Sequence, residues 1–220
     1  MLTAAQWIQV LTYCGVRFTT AVVWSKVFEA RVLPDSFDLG MAELPDFVGQ
    51  TLYETQLLEK LEEDLNYSAI RLTQVWPNRF PTIAAAAPFA FNPQALANKT
   101  YGGRMGNVHP GDGWLFRGRG IPMITGRAGY AALAQLTGLP LLDQPDLLAM
   151  PDGALQCGVL WFAKHVPDSA IGDPEAVTQA VQGGELGLAD REALTTKAAA
   201  AIASVLSQLS HVTSSPGGPA

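Results

Sequence analysis

Apolar residues recur at helical spacing through most of the chain, and no stretch alternates with period two between hairpin turns. The pattern predicts a mainly α fold, with helices over about 3–14, 18–31, 44–62, 68–76, 92–99, 128–137, 151–164, 173–182 and 187–207. Start signals support several of these. Pro45 falls in the first turn of the third helix, Ser68 can cap the fourth, and Asp173 followed by Pro174 opens the eighth. The longest region without helical pattern runs from Thr100 to Thr125 and is rich in glycine, and a long loop inside a compact domain points to function. No internal repeat or interdomain linker is visible. The expectation is a single domain over residues 1–210, with residues 211–220 as a flexible tail ending in Ser, Pro and Gly.

The chain has 220 residues, 48% hydrophobic and 15% charged, so it can bury a core and lies far from the composition of disordered chains. A formal net charge of −6 argues against a nucleic-acid partner, because phosphate neutralisation needs a clustered basic surface. Cys14 and Cys157 are far apart with no CxxC, and His109, His165 and His211 are scattered. That excludes a disulfide framework and a zinc-ribbon cluster, and no metal site or cofactor is expected. The segment from Met1 to Val16 lacks a basic start and is interrupted by Thr, Gln and Tyr, so it reads as a first helix and not as a secretory leader. The longest uncharged stretch, Phe80 to Asn98, contains Pro81, Pro88 and Pro93, and no membrane insertion is expected.

On a helical wheel of the third helix, Phe47, Leu58, Leu61 and Leu65 share one stripe, with Glu54 in its middle. Desolvation on such a stripe disfavours the charged carboxylate, which suits a general acid. The alternative is a glutamate that pairs with an arginine and closes a contact between helices. Glu59, Glu62, Glu63 and Asp64 read as a solvated acidic face. The glycine-rich region contains no GxxxxGK[ST] and no strand-borne GxGxxG, so phosphate cradling is not supported. Arg117 and Arg119 between glycines resemble RNA-binding tracts only superficially in so acidic a chain. Tyr101, Trp114 and Phe116 either offer flat faces for sugar rings or fill the core. No GxSxG elbow is present, and Cys157 and His165 would lie roughly 12 Å apart along one helix, so a nucleophilic hydrolase is disfavoured. Cys157 reads as a small buried residue beside Trp161.

One set of linked motifs goes further. The run YETQLLEKLEEDLNYSA from Tyr53 to Ala69 is followed by WPNRFP from Trp76, NKTYGGRMGN from Asn98, GDGW from Gly111 and RGRG from Arg117. Thr125–Gly–Arg127, Gly183–Gly184 and Asp190–Arg191 complete the order. Together they resemble the glycoside hydrolase family 19 endolysins of bacteriophages, relatives of plant chitinases. The resemblance covers most of the chain, and the linked order is far more specific than any one motif. It implies a two-lobed, lysozyme-like helical fold with a substrate cleft, and hydrolysis of a β-1,4 linkage in an N-acetylated glycan with inversion. By motif, Glu54 corresponds to the general acid, Glu63 to the general base and Thr125 to the hydroxyl that helps hold the attacking water. An inverting pair stands about 6.5–9.5 Å apart to leave room for that water. The resemblance further implies substrate contacts from Tyr101, Arg104, Asn107, Trp114, Met123, Arg127 and Gln182. It implies a peptidoglycan glycan strand as substrate, with chitin or binding without cleavage as alternatives. A monomer made in the host cytoplasm would then reach the periplasmic wall through a membrane lesion made by a holin-type partner.

Geometry sets a condition on this assignment. Residues nine apart on an unbroken helix lie about 13.5 Å apart along the axis and point to opposite sides, so the helix must end or bend before Glu63. Local sequence opposes a break, since Thr55 to Asp64 contains neither Gly nor Pro. Several positions depart from the family pattern. Tyr53 stands where His is common, and Gln56–Leu57 replace a frequent Gly pair. Met123 replaces a usual Gln, while Gly129 and Gln182 each replace a usual Asn. The last three are amide positions expected to contact sugar in relatives, so affinity and sugar preference are where this chain should differ.

Overall fold

A computed structural model describes residues 1–213, with side chains described for residues 1–208. The structure is mainly helical, with eleven α-helices among the described residues and only isolated β-bridges. In chain order the helices are α1 (Ala4–Tyr13), α2 (Phe18–Arg31), α3 (Leu44–Glu54), α4 (Ala69–Val75), α5 (Ile83–Ala86), α6 (Pro93–Tyr101), α7 (Asp112–Leu115), α8 (Arg127–Thr137), α9 (Pro151–His165), α10 (Pro174–Gln182) and α11 (Leu188–Thr213). The short α5 and α7 carry too few turns to leave a periodic pattern. The last helix runs to Thr213, past the expected end near residue 207, and Ser214 to Ala220 lie outside the described residues. None of the described helices is long and apolar enough to cross a membrane.

The chain forms two compact units: residues 1–60 with 155 onward, and residues 61–154. In the first unit α1, α2, α3, α11 and the part of α9 from Leu155 onward supply the core. Trp7 packs on Phe28 at 4.5 Å between ring centroids, and Phe47 and Phe162 meet edge to face at 5.5 Å. The α3–α11 contact is close enough to demand glycine at one point, since a Cβ on Gly49 would fall 2.2 Å from Thr195 Oγ1 and 2.8 Å from the Thr195 nitrogen. Local caps fix the helix starts. Thr3 and Gln6 form a reciprocal capping box at α1, and Asp173 accepts from two backbone amides at the start of α10. Cys14 and Cys157 are both buried thiols, not joined to each other.

The second unit is built on a smaller core of Leu65, Leu72, Phe80, Leu96 and Ala97, with Tyr67, Trp76, Phe89, Tyr101 and Trp114 packed partly against it. The Ser68 hydroxyl caps α4 by accepting the Arg71 amide. The region from Thr100 to Thr125 folds as loop around the single turn of α7, and two antiparallel bridges, Glu62 with Arg119 and Arg119 with Ile124, tie its end to the chain that follows the first unit.

Candidate active site

The helix carrying Glu54 ends at Glu54 itself. The expected helix to residue 62, and with it the apolar stripe, does not exist: Leu58 and Leu65 are buried in non-helical chain and Leu61 lies outside any helix. Gln56, Leu57 and Leu58 have φ of 49°, 60° and 67°, three consecutive left-handed residues without a glycine among them. Each such residue costs about 1–2 kcal/mol, so propensity was opposed by something stronger. Thr55 supplies part of it. Its buried hydroxyl donates to the Thr51 carbonyl at 2.7 Å and accepts the Leu58 amide at 2.9 Å, while its own carbonyl accepts from Glu59 and Lys60. The Leu57 amide reaches back to the Leu52 carbonyl at 2.7 Å, and Leu58 is only 4% exposed. The Gly pair usual at 56–57 in the resembled family sits where this backbone turns left-handed.

Glu54 is paired with an arginine and not isolated among apolar groups. Arg191, 2% exposed and carried by α11, donates to Glu54 Oε1 and to Gln50 Oε1, and its Nε donates to the Leu186 carbonyl at 3.2 Å. Gln50 in turn donates to Thr178 Oγ1 at 3.2 Å. The guanidinium lies 4.0 Å from the centroid of the Tyr53 ring, the residue that stands in place of the common His. Glu54 keeps 21% of its side-chain surface exposed, and Oε2 accepts no hydrogen bond from a described residue. Sequence reasoning quoted Arg191 only as part of a motif and gave it no role.

In the second unit, Glu63 is held at both oxygens. The Gly118 amide donates to Oε1 at 2.6 Å and the Tyr101 hydroxyl donates to Oε2 at 2.6 Å, while the Glu63 amide donates to the Gly118 carbonyl at 2.9 Å. Burial, and then the carboxylate it serves, push the Tyr101 phenol well above its ordinary range, so it stays a donor. A Cβ on Gly118 would stand 3.2 Å from both Glu63 Cδ and Thr125 Oγ1, so these two side chains flank the space that glycine leaves open. Thr125 Oγ1 donates to the Met123 carbonyl at 3.3 Å. The structure therefore brings Glu63, Thr125 and Tyr101 around Gly118.

The neighbour Glu62 does not join a solvated acidic face. Its Oε2 accepts from Arg117 at 2.7 Å and from Arg119 Nε at 3.0 Å. Arg119 is 1% exposed and also reaches Asp146 at 2.8 Å, the Leu115 carbonyl at 2.7 Å and the Tyr130 hydroxyl at 3.1 Å. The RGRG motif thus places an amide on Glu63 and two guanidinium groups on Glu62, a division of labour that no sequence period signals.

The remaining sequence-derived contacts fall in different surroundings. Arg104 and Met105 are exposed in the glycine-rich loop, and Met123, at φ 46°, is partly exposed. Asn107 is 1% exposed and engages both ends of its amide within the loop, donating to the Tyr101 carbonyl at 3.0 Å and accepting the Arg127 amide at 2.8 Å. Arg127 binds Asp112 through two nitrogens at 2.7 and 3.0 Å, and that bond first of all lowers the Asp112 carboxyl to about 2. Trp114 is covered on one face by the Arg117 guanidinium at 3.8 Å, and Phe116 is fully buried, so of the three aromatics Phe116 belongs to the core. Gln182 lies in the first unit, where its amide nitrogen donates to the Gly184 and Leu186 carbonyls.

No family model matches the chain. A glycosyl hydrolase family 19 domain-containing protein of Haemophilus influenzae is 32% identical over 147 residues, which span 66% of this chain and 72% of that protein. Two endochitinases of Arabidopsis thaliana are 37% and 39% identical over 71 and 75 residues, about a third of this chain and a quarter of each of theirs. With a bacterial relative of that identity matched over more than two thirds of its length, the chain belongs to glycosyl hydrolase family 19 and is a glycosidase of the chitinase-like type.

Proposed function

We propose that this glycosidase is an endolysin that cuts the β-1,4 bond of the peptidoglycan glycan strand with inversion. Glu54 is the general acid that protonates the departing glycosidic oxygen, Glu63 is the base that takes a proton from water, and Thr125 steadies that water. The observation that carries the reading is the setting of Glu63. A carboxylate gripped by the Gly118 amide and the Tyr101 hydroxyl, with a threonine hydroxyl across the gap at Gly118, is a pre-organised place for a water to be oriented and deprotonated. Glu54 fits the other role through its uncommitted Oε2, the atom available to carry and deliver a proton, while Arg191 fixes the opposite oxygen. In this reading the protein acts as a monomer on the wall, reached through a lesion made by a holin-type membrane protein.

The test uses purified Gram-negative sacculi, the unaltered chain, Glu54→Gln and Glu63→Gln. Muropeptides with new reducing ends from the unaltered chain alone support the proposal, and the identity of the reducing sugar separates muramidase from glucosaminidase cleavage. Release of the α-anomer as first product, read by proton NMR, supports inversion. A second reading, chitinase action on N-acetylglucosamine polymers, is favoured by the similarity to the two endochitinases. Cleavage of chitooligosaccharides with sacculi left intact would establish it instead.

A further inference from the structure

A cavity of about 430 Å³ in the first unit belongs to neither carboxylate's immediate setting. Its apolar lining includes Leu52, Leu57, Leu194 and the buried Cys14, and the charged residues lining it are Asp190 and Lys197 of α11. These two are exposed, seven positions apart on one helix face, and neither forms an ion pair with a described residue. Two helical turns separate them by about 10 Å along the axis, a span that roughly three residues of extended peptide cover. Small apolar surface below and one free charge of each sign above is the complement of a short peptide that carries methyl groups, carboxylates and an amine. An N-acetylglucosamine polymer offers neither charge.

The cavity is also wired to the Glu54 pair through the chain. Tyr53 lines it and precedes Glu54, and Asp190 lines it and precedes Arg191, which donates to Glu54. Gln56 and Leu57, two of the three left-handed residues, form part of its wall. Backbone strain held beside a concave, mixed-charge surface is where binding sites are found.

We propose that this cavity binds the peptide stem of peptidoglycan, Lys197 taking a stem carboxylate and Asp190 the stem amine, so that the enzyme prefers strands that carry peptide. The inference rests on the peptidoglycan reading above and names the part of that substrate which distinguishes it from chitin. Rates of reducing-end formation would be compared on sacculi and on the same glycan stripped of peptide by an amidase, with the full chain, Lys197→Glu and Lys197→Arg. In parallel the free tetrapeptide L-Ala–D-Glu–meso-diaminopimelate–D-Ala would be titrated into each by NMR. Expected are a half-saturating concentration at least about tenfold lower for peptide-bearing strands, loss of that preference in Lys197→Glu, and its retention in Lys197→Arg, with stripped strands cut equally by all three. The tetrapeptide should saturate the unaltered chain near 1 mM or tighter and fail on Lys197→Glu. Equal cleavage of both glycans, or a tetrapeptide that shifts no cavity resonance, overturns the inference while leaving the peptidoglycan reading in place. Cleavage of neither glycan overturns that reading, and the titration alone then decides whether the cavity takes a peptide.

Discussion

The Tyr101 hydroxyl donates to Glu63 Oε2 at 2.6 Å, from the last residue of α6 to a carboxylate whose other oxygen is held by a backbone amide. Tyr101→Phe keeps the ring in the second unit's core and removes one of two tethers on the proposed base. Turnover on sacculi should fall about tenfold with KM little changed, and stability by about 1.5–3 kcal/mol, as expected for one hydrogen bond to a charged group. Steady-state kinetics with a thermal melt separates the two effects.

Gly118 admits no side chain without disturbing both Glu63 and Thr125, each 3.2 Å from the Cβ position. Gly118→Ala should therefore cut turnover by roughly tenfold to a hundredfold, the cost of displacing reacting groups by a fraction of an ångström to one ångström, with a comparatively small change in melting temperature. Unchanged turnover would mean that Glu63 and Thr125 do not act together on one water.

Arg191 is buried and its bonds hold Gln50, Glu54 and the Leu186 carbonyl at once. Removing it leaves a glutamine and a partly covered carboxylate without their donor. Arg191→Ala should destabilise the chain by about 3 kcal/mol or more, whereas Glu54→Gln, which keeps an oxygen to accept from the guanidinium, should cost under half of that. Urea denaturation of the two variants checks the ordering.

Gln56 is exposed and left-handed, so its side chain gains little and its backbone is strained. Gln56→Gly should raise stability by about 1 kcal/mol, a gain of roughly 2–4 °C in melting temperature for a chain of this size. A destabilised variant would show that the left-handed run is not strained at this position.

Stability should also fall on the alkaline side. Burial raises the Cys14 thiol from 9.0 to about 11 and the Tyr130 phenol from 10.0 to about 12. Both groups are raised on folding, so their contribution is intact below pH 9 and drains away between about pH 9 and 12, as the unfolded chain ionises first. Asp112 works in the opposite direction: lowered from 3.8 to about 2, it contributes fully above pH 4 and loses that contribution as the pH falls toward 2. Melts at intervals across the pH range would trace both limbs.

Most helix starts were legible because caps are local: Ser68, Asp173 and Pro45 act within one turn of themselves. The end of α3 was not, because the forces that stop it are the Thr55 hydroxyl, the buried Leu58 and a left-handed path that Gln and Leu disfavour. Only the family resemblance, which implies that Glu54 and Glu63 serve one reaction, predicted a break there. The glycine-rich segment was legible as a long non-helical stretch, but the separate contacts of Gly118, Arg117 and Arg119 are made some 55 residues away in sequence. Which arginine pairs with Glu54 was illegible for the same reason, since Arg191 lies 137 residues from it.

That separation has a consequence for the order of events on the ribosome. The second unit is one continuous stretch of chain, residues 61–154, and can begin to fold as soon as it has emerged. The first unit is split around it, and α3 has no α11 to pack on until well over a hundred further residues have been made. At 5–20 residues per second the wait is on the order of ten seconds. During it the face of α3 that α11 covers and the Glu54 carboxylate stay without their partners, so the unit whose chain starts first is the unit completed last.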